Sequence, residues 1–329
     1  MNRVGVALAA DSAVTIGQRA DKIWTSADKL FQLSEVDPVG VMVYANAEFV
    51  RVPWETIIKC FRSAHGQRSE STVGEHAERF LAFLRSNQEL FPDGRQDSDI
   101  LGLVAALWTS LRDSLQERLD REAETRNGLT EQDVAEVARD EVVILLKEAR
   151  KRAWLKGFDL ATRGEARKRY WADLLKLRDE IFGNLPLLAP TRNALLAIAL
   201  LMITRQMLSP AKSGVVFAGF GAKEVFPSLV GLELDGMAVG RPRYIEGRVV
   251  HIDDDVNSSV VPFAQQEMVH SFMQGVETQL FSFMRSSTQR VFSDAFPLET
   301  KAYPQSQKSF LLSCDSMRWP ISEAFGPNY

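Results

Sequence analysis

Residues Val4–Gly17 read VGVALAADSAVTIG, an apolar run of β-branched and small residues that stops on an aspartate, a serine and a threonine instead of a Gly/Pro turn. The run predicts a buried strand, and Asp11 at its end then needs a chemical reason. Further strand-like runs follow at Lys22–Ser26 and Lys29–Leu33 and, after the turn-forming Asp37-Pro38, at Val39–Tyr44. Two of these runs are continuously apolar, the pattern of strands covered on both faces or on one face of a layered sandwich.

At Pro53 the period changes. Proline in the first turn and apolar residues at Trp54, Ile57, Ile58 and Phe61 predict a helix over 53–64. Similar spacing predicts helices near 72–87, 97–126, 130–157, 164–183 and 191–208, with Thr130-Glu-Gln-Asp133 as an N-terminal cap and Gly128, Gly157 and Gly183 as stops. The Leu115–Glu180 block is dense in Glu, Lys and Arg and reads as a solvated helical hairpin. Ala194–Ile203 is the longest apolar segment, about half the roughly 20 residues a membrane span needs, so it reads as a core helix.

Strands return at Gly214–Gly221 and Ser228–Leu234, with a hairpin signal at Asp235-Gly236. Arg243–Ile245 and Arg248–Ile252 extend that sheet, Pro262 opens a helix to about Arg285, and beyond it only Ser309–Ser313 is strand-like. The order strands, helices, strands, helix predicts an α+β protein with helices segregated from a mostly antiparallel sheet, or a four-layer arrangement.

Composition narrows the function classes. The 329 residues are 45% hydrophobic and 25% charged, enough for a large core, and the formal net charge is -4. No Lys/Arg stripe alternates with aromatics, which argues against nucleic acid and anionic membrane as partners. Cys60 and Cys314 form no disulfide framework, and the four histidines show no zinc-ligand spacing, so neither a metal nor a cofactor is expected. Gly219-Phe-Gly221 is too short for a dinucleotide fingerprint, and the three consecutive aspartates of His251–Asp255 diverge and read as a solvated acidic loop. Ser258-Ser259 belongs to a cap or connecting loop. The first residues lack the charged, apolar and small-residue pattern of a secretory signal, so a cytoplasmic protein is expected.

The segments VALAADSAVTIG, Ala27–Leu33 (ADKLFQL) and Val39–Glu48 (VGVMVYANAE) resemble, in order and spacing, the N-terminal third of proteasome β-type subunits and their bacterial HslV-like relatives. The later SGVVFAGFGAKEVFPSLVGLELDG resembles the second hairpin of that family. The matching segments cover roughly a third of the chain, essentially its strands and the first helix after them. The resemblance implies an N-terminal-nucleophile (Ntn) hydrolase fold: one αββα sandwich over residues 1–329, with a helical insertion at about 65–190 and an irregular extension at about 286–329. It implies a threonine-type peptide or amide hydrolase in which a lysine tunes the nucleophile, a carboxylate holds that lysine, and a backbone N–H serves the oxyanion. Carried over residue by residue, Asp11 matches the family's strand-end aspartate, Lys29 its lysine, and Ala45 lies near the glycine whose N–H serves the oxyanion. Ser12 and Thr15 beside Asp11 are candidates for lining a substrate pocket.

The nucleophile itself has no match. In the family it begins the strand before the one ending in the aspartate, which here falls roughly six residues before Met1. No Thr, Ser or Cys precedes Asp11, and removing Met1 would expose Asn2. Two expectations follow: a longer true chain with a leading strand, or a proteasome-like fold without hydrolysis that serves as a homo-oligomer or partner-binding module. A small-amide acylase is a third reading.

Overall fold

Strand pairing follows the apolar runs only where a partner strand exists. The computed structural model describes residues 1–11, 28–126 and 128–263, the backbone of 14–16 and 22–24, and residues 271, 275, 280 and 282–288. Its strands are β1 (Val14–Ile16), β2 (Lys22–Trp24), β3 (Leu30–Gln32), β4 (Val39–Ala45), β5 (Glu48–Phe49), β6 (Val52–Pro53), β7 (Ser213–Gly219), β8 (Ser228–Ala238) and β9 (Arg241–His251). Its helices are α1 (Trp54–His65), α2 (Val73–Ser86), α3 (Asp93–Arg126), α4 (Glu131–Lys151), α5 (Leu160–Phe182) and α6 (Ala189–Thr204). Among the described residues, β3-β4-β7-β8-β9 make one antiparallel sheet in that order, while β1-β2 and β5-β6 pair as two-stranded ribbons. The protein is α+β.

Two compact units divide the chain: Gly5–His251, and Met1–Val4 with Ile252–Tyr329. In the smaller unit the Met1 amino group donates to the Ser259 carbonyl at 2.9 Å and Arg3 donates to the Asp253 carbonyl and the Asp254 carboxylate. Asp253 also accepts from the amides of Asp255 and Val256, which folds the acidic loop on itself.

In the larger unit, period-2 alternation places the β4 residues Val39, Val41 and Val43 in one core with Trp54, Ile57, Ile58 and Phe61 of α1 and Phe80 and Leu84 of α2. Apolar residues at i, i+3, i+4 and i+7 give α1 the stripe that fits this face. On the opposite face Met42, Val216, Ala218 and Leu229 are buried too, and β7 is buried at every position, so the centre of the sheet is covered on both sides while β3 on that face is exposed at Leu30 and Gln32.

A second core joins α3–α6. Here Trp108, Tyr170, Leu174 and Phe182 meet α6, whose Leu195–Thr204 is buried nearly all round. The charged middle block is therefore more than a solvated hairpin, since Leu115, Leu119, Val137 and Val142 enter this core. Thr130 and Asp133 cap α4 reciprocally. Among the described residues no helix is long and apolar enough to cross a membrane.

Two sequence expectations fail. Val6–Ala10 are not a strand, and Ala7, Ala9 and Ala10 are exposed. The small residues there offer little area to bury, and Leu8 leans on the sheet, its Cδ1 3.2 Å from where a Cβ on Gly40 would stand. The hairpin turn is also not at Asp235-Gly236 but at Val239-Gly240, with φ of 46° and 74°. Gly236, at φ 77°, instead lies in a register shift between Leu234 and Met237, because Asp235 is drawn inward by buried Arg243. The helix expected from Pro262 falls partly outside the described residues: 261–263 are not helical, whereas 271, 280 and 282–288 are. Ser309–Ser313 lie outside them altogether.

Candidate functional site

Lys29 sits just before β3, where the Val43 N–H of β4 donates to its carbonyl at 2.8 Å. Its aliphatic stem is mostly covered, and its Nζ lies 2.6 Å from Asp11 Oδ1. The Asp11 side chain is 70% exposed, so this ion pair contributes at most about 1 kcal/mol to folding. Its larger effect is to hold the ammonium in one place.

Ala45 ends β4 in the left-handed region, at φ 63°. Asn46 braces that backbone: its Oδ1 accepts from the Glu48 N–H at 3.1 Å and its Nδ2 donates to the Ala211 carbonyl at 3.0 Å. Lys29 and Ala45 then line one pocket of about 110 Å³, together with Tyr44, Asn46, Trp54 and Glu55 among others. Lys29 and Ala45, from separate segments, thus line this pocket, and Asp11 reaches it only through its ion pair with Lys29. Ser12 lies outside the described residues, and Thr15 falls in β1, where only the backbone is described.

Sequence reasoning missed Tyr44, Asn46, Trp54 and Glu55 as lining residues. Burial, and then the nearby Glu233 carboxylate, push the Tyr44 hydroxyl up to about 12, so it stays a protonated donor near neutrality. Glu55 accepts a hydrogen bond from the Lys59 ammonium, one helical turn on. Trp54 is buried, stacked on Phe49, and its Nε1 has no hydrogen-bond partner among the described residues. One signal was available in the sequence: Gly214 within an otherwise apolar strand run, a residue that often marks close approach of another group to the backbone, and the structure puts Tyr44 across the ladder from it.

A serine, a histidine and an aspartate also meet away from the pocket. The buried Asp37 carboxylate accepts from Ser69 Oγ at 2.8 Å and the Glu70 N–H at 2.9 Å, and lies 2.8 Å from His76 Nε2. The carboxylate stands between serine and histidine, whereas a nucleophilic triad needs the histidine in the middle. This cluster is a latch between the β3–β4 turn and the start of α2. Burial, the largest influence, raises the Asp37 pKa, but the bonds from Glu70, Ser69 and His76 together hold it below 3.8.

No protein-family model matches the chain, and neither a curated protein nor a solved structure matches it. The chemistry of the pocket is therefore read from its own groups. It offers an ammonium fixed by a carboxylate and a strained strand end; the described lining includes no serine, threonine or cysteine.

Proposed function

We propose that this chain is a proteasome-like member of the Ntn hydrolases and that the Lys29 pocket is an amide-hydrolase site. The observation that carries this reading is that Lys29, paired with Asp11, lines one pocket together with Ala45. Strand alternation supports it further, since it puts the Ala45 N–H on the same edge of β4 as the Val43 N–H, which meets Lys29. An oxyanion bound there would face both a backbone donor and a fixed positive charge. The four-layer sandwich draws support from the central strands of the sheet, which are covered on both faces, with α1 and α2 on one of them.

The attacking hydroxyl or thiol has to come from outside the described lining. In the Ntn scheme its proton passes to a free α-amine, whose ordinary pKa near 8 suits neutral conditions. The test is to purify the protein from its native source, sequence its N-terminus, and treat it with a peptide β-lactone that acylates such nucleophiles. The expected result is one acylated leading Thr, Ser or Cys, with labelling lost in Lys29→Ala; absence of acylation in the native protein overturns the reading. A second reading, a partner-binding or self-associating module, is favoured by the α3–α6 bundle with its own core. It predicts no acylation and a self-associated species in sedimentation.

A further inference from the structure

Charge is segregated by sign along the helical bundle. Over 113–141, from the second half of α3 into α4, ten carboxylates stand against four arginines, whereas over 147–168, from the end of α4 into α5, eight lysines and arginines stand against three carboxylates. At the acidic end Arg118 and Arg126 tie α3 to α4 through Glu141 and Asp133, and Arg139 pairs with Asp140. Glu117, Asp120, Glu124, Glu131 and Glu136 are left exposed, with no ion pair among the described residues. At the basic end Lys151 pairs with Glu148 and Lys156 with Glu246. Lys147, Arg150, Arg152, Arg167 and Lys168 are left exposed there, again with no ion pair among the described residues.

Neither helix capping nor solubility accounts for this arrangement. The helix dipole favours the order within α4, acid first and base last, but it opposes Glu124 in the last turn of α3 and Arg163 in the first turn of α5. Solubility needs charge of both signs mixed over a surface, not sorted to two ends. Nor can the ends neutralise each other within one chain. α4 has 21 residues, which sets Glu131 and Arg152 about 30 Å apart, well beyond the roughly 10 Å over which exposed charges act. The basic end also carries interface anchors. Trp154 is half-buried, with Arg205 Cζ 4.5 Å and Arg163 Cζ 5.7 Å from the centroid of its ring, and Leu160 at the start of α5 is 66% exposed. Arg205 is fixed there by the carbonyls of Arg150 and Arg152.

We infer that the two ends are the halves of one contact between copies of this chain: the acidic tip of the α3–α4 hairpin in one copy docks on the basic surface around Trp154 in the next. A contact between two different patches is head-to-tail, so it propagates from copy to copy into a ring or a filament. The chain's own acidic tip matches the basic surface in charge, and the net charge of -4 disfavours a long polyanion as the occupant. The inference goes beyond the amide-hydrolase reading and needs no catalysis.

Sedimentation velocity on the full chain tests it. The native protein should self-associate at low ionic strength and dissociate at high ionic strength. Reversing the tip with Glu124→Arg and Glu136→Arg, or the basic end with Lys147→Glu and Arg152→Glu, should weaken association at least about tenfold. Mixing the two reversed proteins should restore it, because each then offers the surface that the other lacks. A native chain that stays monomeric at low ionic strength, association that neither reversal weakens, or a mixture that does not associate overturns the inference. So does a short single-stranded oligonucleotide that binds the basic end while the chain stays monomeric. All four positions are exposed, and circular dichroism checks that each variant folds; should a reversal fail to fold, Glu124→Gln with Glu136→Gln gives the same readout at smaller amplitude. Association that ignores charge would overturn this contact and leave a self-associating module standing, and acylation of the native protein is unaffected by either result.

Discussion

The Tyr44 ring lies against the backbone of Gly214, its cross-strand partner: a Cβ on Gly214 would stand 1.9 Å from Tyr44 Cζ and 2.0 Å from Cε1. The glycine is what lets the ring lie down on the sheet and form one wall of the pocket.

Gly214→Ala should therefore destabilise the protein by about 1–3 kcal/mol, the usual range for forcing atoms into an occupied site. Urea unfolding measures it. In the Tyr44→Ala background the same substitution should cost much less, since the obstructing ring is gone. Equal losses in both backgrounds would mean that the contact does not govern Gly214.

Ala45→Gly should move stability the other way. Ala45 holds φ at 63°, which costs an L-residue about 1–2 kcal/mol, whereas glycine adopts it freely. Part of that gain is offset by the greater freedom of glycine in the unfolded chain, leaving about 1 kcal/mol. A rise in urea midpoint at constant slope is the expected reading, and a fall would show that the strand end relaxes in solution.

How legible this was in the sequence depends on how local each cause is. α1, α2 and α4 follow from 3.6-residue spacing and from caps such as Thr130 with Asp133, which act within a few residues. Val6–Ala10 look like a strand because their side chains suit one, yet a strand also needs a neighbour, which no local pattern supplies. Asp235-Gly236 carries a turn signature, but buried Arg243, eight residues on, claims the aspartate and leaves the turn to Val239-Gly240. The pairing of Asp11 with Lys29 was suggested only through family resemblance, and their 2.6 Å contact is a product of the folded chain. Tyr44, Asn46, Trp54 and Glu55 share a pocket because a strand end meets a helix start, which spacing alone does not reveal. The left-handed Val50 and Arg51 run against turn chemistry, so only the structure exposes them.

Arg243 is fully buried and donates to the carbonyls of Met202, Ile203, Met207 and Asp235 and to the Asp235 carboxylate. It thereby closes the C-terminal end of α6, whose last carbonyls have no helical partner. Asp235 in turn accepts from the Ser209 amide and hydroxyl, each at 2.7 Å. Arg243→Met should cost about 3–5 kcal/mol, because it strands a buried carboxylate and several carbonyls. Adding Asp235→Asn should recover part of the loss in a thermal-unfolding series. No recovery would assign the cost to the carbonyls alone.

The Asp37 latch makes a prediction about acid stability. Its carboxylate serves Ser69, Glu70 and His76, and its folded pKa lies below the ordinary 3.8. A depressed folded pKa means that the unfolded chain takes up the proton first, so acid favours unfolding. The contribution is fully present above the unfolded value of 3.8 and disappears as pH falls through the folded value. At neutral pH, Asp37→Asn should lose about 1–3 kcal/mol, as charge-assisted bonds become neutral ones and a donor amide meets other donors. Below about pH 4 the two proteins should converge, so the acid limb of stability against pH is steeper for the wild type than for the variant. Urea unfolding at a series of pH values from neutral to strongly acid measures both limbs. Parallel limbs would show that the latch carboxylate keeps an ordinary pKa and that its bonds do not favour the charged form.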